Sequence, residues 1–492
     1  MDARVRRHSA CQGAGRVALN PADLGVVESA ALLRNRELSS SELVTACLRR
    51  IEERDGTHSA DGDAMSINAW VRVYPDDALR GAAEADARLT AKAQRELGPP
   101  PPLLGVPIGL KDLYAVAGKP LTASSTLYNE IPDDDSDVWR RLRDAGMVLL
   151  GHTHTHEFAA GGTTDQVGNP WSLDRSAGGS SGGSAAALAA RMVPAATGTD
   201  TAGSLRIPSA LCATSTIKPT RNLVSTAGVV PLAPSLDHCG PMARSVVDCA
   251  ALLTIMAGSD FSDATTAFGA FNPLRAPATE ARPLGGVRIA LSQRAHALDD
   301  DVRAGLSRAV AVGEELGAQL VEPLQAPPAD EPFGEHGRTL CAEMLAFHHR
   351  FDDVRERYRP STRDFLEVGE RAALTAQDYL RLKENRRDIT RRWWRWFESE
   401  RIDAVLEPTV PVVALPRGPG YDAMGYDADL VSLTYLWNWT GFPVVSIPAS
   451  VGAATGLPVG VSLIGRPATD RALLVIAARL QRSLGIPTPP LG

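Results

Sequence analysis

The chain has 492 residues, 44 % of them hydrophobic and 22 % charged, which is enough apolar material for a sizeable buried core. Its 43 glycines and 35 prolines exceed the ordinary combined share of about 12 % but stay far below the roughly 25–30 % of fibrous or disordered chains. Collagen, coiled coil and long disordered tails are therefore excluded, and the formal charge of −7 argues against nucleic acid as the main partner.

The six cysteines, at 11, 47, 212, 239, 249 and 341, are widely spaced and form no C-x-x-C pair. That excludes a zinc ribbon, speaks against a disulfide framework, and predicts reduced thiols. The N-terminus starts basic, but no apolar stretch of signal-peptide length follows, and no run reaches the ~18 apolar residues of a membrane span. The expectation is a soluble, cytoplasmic protein with no membrane partner.

Residues 1–25 read as a flexible N-terminal arm, and patterned sequence begins at 26. Ser39 and Glu42 fit the capping box S-x-x-E, with Leu43, Val44, Cys47, Leu48 and Ile51 following at helical spacing. The proline run 99–102 is a rigid break. An apolar strand-like run, 103–110, then ends at the cation Lys111. A second strand is predicted at 147–150, and helices at 137–145 and 184–192. The alternation predicts an α/β fold whose central twisted mixed sheet is flanked by helices on both faces.

The composition shifts to proline and alanine at 272–285, which reads as a linker between a core at 26–271 and a C-terminal part at 286–492. A strand at 287–292 and an amphipathic helix at 299–316 follow. The stretch 331–400 is a charged, aromatic helical insert, placed to shape a substrate pocket. Trp393, Trp394, Trp396 and Phe397 near its end read first as packing residues and second as a pocket wall. Runs at 405–411, 444–448 and 459–464 complete the sheet.

Ten of the glycines fall within 151–205. There, Gly178-Gly179-Ser180-Ser181-Gly182-Gly183-Ser184 runs straight into an alanine-rich helical segment. A flexible linker would not do so in mid-domain. A phosphate loop would carry the G-K-[ST] ending that is missing here. Gly179-x-Ser181-x-Gly183 matches a nucleophile elbow, but 171–177 does not read as the strand that an elbow requires. A second small-residue loop, Gly198 to Ser204, follows. Its backbone N–H groups could form an oxyanion hole with Ser204 as nucleophile. The base that Ser204 needs is one of the ten histidines or Lys111, whose amine burial would make neutral.

GGSSGGSAAALAA, TGTDTAGSLRIPSA, IKPT and SLDHCGPMARS, with PIGLKD upstream and EPTVP and GLPVGVSLIGRP downstream, resemble the amidase signature family. The resemblance runs from about residue 31 to 486 and is weakest across 259–399. It implies the amidase signature fold and a Ser-Ser-Lys triad made of Ser204, Ser180 and Lys111. Ser204 attacks the carbonyl, Ser180, expected after a cis peptide bond, bridges, and unprotonated Lys111 takes the proton. The N–H groups of Thr201, Ala202, Gly203 and Ser204 hold the oxyanion, and Ser181, Asp200 and Arg206 brace the loop. No cofactor and no metal is implied. The partner is a small amide or carbamate substrate, with no nucleic acid, and the chain is a monomer or homodimer.

Two departures bear on substrate. Ala202 replaces the family's usual glycine, and TDTAGS resembles the allophanate hydrolase branch and urethane-cleaving members. Leu236-Asp237-His238 and Arg206-Ile207-Pro208 differ from the SLDQ and R-Q-P runs typical of the transamidase subunit that makes Gln-tRNA. The expected activity is hydrolysis of carboxamides or anilides, with esters as side substrates; a carbamate or urea-like substrate is the alternative, and a transamidase subunit ranks lower. His152, His154 and His156 alternate as a metal-binding H-x-H strand would, which would make a metal-dependent amidohydrolase; the other reading is a polar strand end. Trp437 and Trp439 read as core packing or as acyl-pocket lining.

Overall fold

The computed structural model describes residues 20–258, 284–294, 297–323, 325, 327–328, 331–426 and 428–490. Residues 1–19 of the predicted arm, Cys11 and most of the predicted linker lie outside this set. The strands are β1 Trp70–Val73, β2 Pro107–Lys111, β3 Val148–Thr153, β4 Gly168–Asn169, β5 Ser172–Ser176, β6 Ala195–Asp200, β7 Ser215–Lys218, β8 His238–Ala243, β9 Arg288–Leu291, β10 Gln319–Val321, β11 Ala404–Pro408, β12 Val444–Val451 and β13 Pro458–Ile464. Eleven of them form one mixed sheet in the order β1-β3-β2-β6-β8-β7-β12-β13-β11-β9-β10. Helices flank it, as in an α/β fold. No described helix is long and apolar enough to cross a membrane.

The local chemistry follows the sequence at several points. The Ser39–Glu42 capping box is formed, with the Ser39 side chain on the Glu42 N–H and the Glu42 carboxylate on the Ser39 N–H, and it starts the helix Ser40–Arg54. Strand β2 is buried along its whole length and lies between two parallel neighbours, β3 and β6. Parallel strands covered on both faces read as continuous apolar runs, which is why Ile108, Gly109 and Leu110 show no polar alternation.

Residues 172–176 do form a strand, contrary to the expectation for 171–177. β5 pairs with the short β4 in a separate two-stranded ribbon, outside the main sheet. A ribbon strand needs one partner and no apolar face, so Ser172, Asp174 and Arg175 give no strand-like pattern.

Because β2 and β6 run parallel and adjacent, their carboxyl ends emerge side by side. Lys111 closes β2 and Asp200 closes β6. Ligand sites in α/β sheets lie outside such carboxyl ends.

Candidate active site

The glycine-serine turn sits against the ends of β2 and β6. The Gly179–Ser180 peptide bond is cis. A Cβ on Gly179 would lie 2.0 Å from the Thr163 carbonyl oxygen, so only glycine allows this approach. The helix Gly182–Ala189 starts immediately afterwards and is wholly buried, which its small alanines permit.

Lys111 is fully buried, and its Nζ has three hydroxyl neighbours: Ser180 Oγ at 2.7 Å, Thr199 Oγ1 at 2.8 Å and Ser181 Oγ at 2.9 Å. Burial lowers its pKa to about 7, with the Asp200 and Asp237 charges opposing. The neutral amine keeps two N–H donors and gains one lone pair. Ser181 Oγ reaches the Thr199 carbonyl at 3.3 Å, which takes its own hydrogen and leaves its oxygen to accept from Lys111. A second buried lysine, Lys218 of the IKPT run, instead donates to the Pro219 carbonyl at 3.0 Å.

Ser204 stands in the turn after β6. Its carbonyl accepts from the Ser181 N–H at 3.3 Å, so the two loops touch. Among the described residues its Oγ makes no hydrogen bond, and no imidazole bonds to Ser204 or Ser180. The carbonyls of this turn are all engaged. Asp200 O accepts from Asn438 Nδ2 at 2.8 Å, Thr201 O from His336 Nε2 at 3.1 Å, Ala202 O from Thr434 Oγ1, and Gly203 O from the Ile207 N–H at 2.8 Å. By contrast, among the described residues the backbone N–H groups of Thr201, Ala202, Gly203 and Ser204 make no hydrogen bond. Buried backbone donors are nearly always paired, so four successive N–H groups without a protein partner stand out at this turn. Gly203 has φ +144°, and a Cβ there would meet Thr434 Oγ1 at 2.4 Å.

The turn is braced from beneath. Arg206 Nε and Nη2 each donate to the Asp200 carboxylate at 2.9 Å, in a fork that matches the carboxylate plane. Arg206 also donates to the Thr434 carbonyl at 2.9 Å and to Asn438 Oδ1 at 2.6 Å, while Asn438 Nδ2 returns to the Asp200 carboxylate at 2.8 Å. The Arg206 charge beside Asp200 helps hold that carboxyl below its usual range against the opposing effect of burial. Thr201 Oγ1 is held by Asp237 at 2.6 Å.

Ser204 lines a cavity of about 340 Å³. Thr201, Ala202, Gly161 and Gly162 line it beside Ser204, and Phe333, His336, Leu340, Phe365, Val368 and Tyr435 are among its other lining residues. The helices Phe333–His348 and Pro360–Ala372, both inside the 331–400 segment, supply ten of its lining residues. The exposed Arg338 is its cation.

Other sequence candidates lie elsewhere. Trp437 and Trp439 are fully buried and do not line this cavity. Trp437 Nε1 donates to Glu407 at 2.6 Å and its ring meets Trp393 edge-on at 5.1 Å, which is core packing. Trp393, Trp396 and Phe397 join the same aromatic cluster, while Trp394 is exposed.

Strand β3 stops at Thr153, so His152, His154 and His156 do not share one strand face. Each has its own partners: Tyr74 and Tyr114 for His152, Ser124 and Gln166 for His154, Thr163 and Ser361 for His156. Burial lowers the pKa of His154 and His156 to about 3. Among the described residues no group of three His, Cys, Asp or Glu side chains is placed to hold a metal ion. Ser181, the residue of the elbow motif, is fully buried beneath Lys111 and does not line the cavity.

Sequence reasoning did not find His336, Thr434 or Asn438. They come from segments far along the chain and carry no local motif; only the fold brings them to the turn.

The Amidase family model matches residues 42–474. This chain is a member of the amidase family. It is 36 % identical, over 92 % of its length and 96 % of the relative's, to a glutamyl-tRNA(Gln) amidotransferase subunit of Ralstonia nicotianae. The structure of 6-aminohexanoate cyclic dimer hydrolase superposes with TM-score 0.80 at 27 % identity, covering 96 % of this chain and 99 % of that one. A chain described with a vestigial protein complex and the origins of an s-triazine catabolic enzyme superposes with TM-score 0.81 at 28 % identity, covering 95 % and 100 %. As a family member this protein is a serine hydrolase acting on carbon–nitrogen bonds.

Proposed function

We propose that this amidase hydrolyses a small amide bearing a bulky apolar group through an acyl-enzyme on Ser204. Neutral Lys111 takes a proton from Ser180, which takes one from Ser204 as its Oγ bonds to the carbonyl carbon. The oxyanion lies against the free N–H groups of Thr201, Ala202, Gly203 and Ser204. The carbon–nitrogen bond then breaks, and the relay returns its proton to the departing amine. Water, deprotonated by the same relay, cleaves the ester at Ser204. Ser181, Asp200 and Arg206 keep both loops in place. The observation that carries this reading is the Lys111 amine, buried with no carboxylate partner among the described residues and 2.7 Å from Ser180.

The apolar wall supports the choice of substrate. A cavity with Phe333, Leu340, Phe365 and Val368 rewards burial of hydrocarbon, at about 0.8 kcal/mol per methylene. In a homologous series of p-nitroanilides, kcat/KM is expected to rise about fourfold per methylene until the cavity is filled. A flat series would overturn the apolar pocket as the specificity element.

His336 and Thr434 act as positioning residues in this reading. In a trans peptide the C=O and the following N–H point in opposite directions. The His336 bond to Thr201 O therefore aims the Ala202 N–H the other way, and the Thr434 bond to Ala202 O does the same for Gly203. His336→Ala is expected to lower kcat roughly 10- to 100-fold with KM little changed, because these donors serve the transition state. His336→Gln, which keeps a donor, should recover part of the loss. An equal loss in both variants would sink the positioning role.

A carbamate or urea-like substrate is the second reading, favoured by Ala202. Ala202 lines the cavity at a position where the family pattern has glycine, while among the described residues its N–H makes no hydrogen bond. The names of the sequence relatives support a third, a transamidase subunit working beside a second chain. One purified sample tested against an anilide, a primary amide and an aryl carbamate separates them. Turnover by the single chain is expected; activity confined to mixtures with a second subunit overturns the hydrolase reading.

A further inference from the structure

A second cavity, of about 790 Å³, shares no lining residue with the first. Its cations are Arg221, Lys383, Arg386, Arg387, Arg391 and Arg395, and among the described residues no carboxylate lines it. Four of them, at 383, 387, 391 and 395, repeat every four residues along the helix Ala376–Ser399, about 6 Å apart. Arg387, Arg391 and Arg395 are exposed, and of these only Arg391 has a carboxylate partner among the described residues, Asp388 at 3.2 Å on the surface. Arg386 forms the buried floor.

Among the described residues neither floor arginine pairs directly with a carboxylate; Glu343, bonded to Ser235, is the counter-charge behind them. Arg386 donates to the carbonyls of Trp439, Ser235 and Asn438 and to the Ser235 hydroxyl. Arg221 donates to the carbonyls of Asn438 and Trp439, and its Nε is buried with no partner. Burial and the adjacent Arg386 charge work against the charged form of Arg221, and the Glu343 charge offsets them only in part. A guanidinium keeps its proton in a protein, so the strain is relieved by an anion rather than by titration. Trp394 stands exposed on the same lining.

We propose that this groove binds a small oligophosphate anion, the phosphates held by Arg387, Arg391 and Arg395 over the Arg386 floor. Trp394 is placed to stack on an aromatic ring of the ligand. A small anion is favoured over a long one for two reasons. The buried floor is reached only from within a concavity, and the overall charge of −7 repels an extended polyanion. The site is independent of the assignment of Ser204.

Calorimetric titration of the full chain with pyrophosphate and with ATP at about 50 mM salt tests this. Both are expected to bind, ATP the more tightly, with affinity falling steeply as salt is raised. The double variant Arg387→Glu/Arg391→Glu, and separately Arg395→Glu, should each weaken ATP at least about tenfold, with melting temperature unchanged at these exposed positions. Absence of binding by either anion, or equal affinity in the variants, overturns the proposal. So does tenfold tighter binding of an oligoglutamate peptide or a single-stranded oligoribonucleotide, which would assign the groove to a macromolecule.

Discussion

Ser204→Ala is expected to lower amide turnover by a factor on the order of 10⁴–10⁶ and to abolish covalent labelling by a serine-directed phosphonate. The expectation rests on what Ser204 lacks. Its Oγ makes no hydrogen bond among the described residues, and it faces a cavity. Alanine therefore removes a reactive atom without breaking a contact, and the melting temperature should stay within a degree or two of the parent. Ser180, by contrast, accepts from Lys111, so Ser180→Ala disturbs the relay as well as the nucleophile's partner. Labelling that persists in Ser204→Ala would place the nucleophile elsewhere, with Ser180 the first candidate. Substrate binding should survive the change, because the cavity wall and the four N–H groups remain.

Lys111→Met is expected to cost at least about 10³-fold in turnover at pH 7, because no other base contacts Ser180. The sign of the pH dependence follows from the same group. Only the neutral amine accepts a proton, and its pKa is lowered to about 7 by burial. Activity should rise as pH climbs through about 7 and level off about one unit above. A rate limb rising instead near 10 would mean that Lys111 is not the base. Stability responds in a linked way. The folded pKa lies below the unfolded value of 10.5, so the cost of burying the ammonium is fully present below about 7 and fades as pH rises toward 10.5. Methionine has no charge to bury, so the stability advantage of Lys111→Met over the parent should be largest at acid pH and shrink as pH rises. Circular-dichroism melts of both proteins at pH 6 and pH 9 check this.

The parts of the fold legible in the sequence are those encoded by local pattern. The capping box at Ser39 and the apolar run ending at Lys111 depend on neighbours a few residues away, and both are found where the pattern put them. Strand β5 was not legible, because a two-stranded ribbon imposes no alternation. The His152–His156 alternation misled for a related reason. A period of two is meaningful only while the strand lasts, and β3 ends at Thr153. Trp437 and Trp439 could not be sorted between core and pocket by type, since aromatic rings serve both.

Net charge is the clearest case of a quantity that composition averages away. The value of −7 is correct for the chain and gives no hint that six cations converge on one groove with no carboxylate among its described lining residues. Lys383, Arg387, Arg391 and Arg395 were readable as a helical stripe, but Arg221 joins them only through the fold.

By itself the sequence determined the family and the elements with a strong local pattern, because motif residues and helix and strand periods are local properties of the chain. Tertiary structure alone decided the state of the chemistry. The Lys111 pKa falls to about 7 because the sheet buries it among three hydroxyls. Three of the four N–H groups of the Ser204 turn, those of Thr201, Ala202 and Gly203, are turned outward because Asn438, His336 and Thr434, arriving from more than a hundred residues away, hold the preceding carbonyls in the opposite direction.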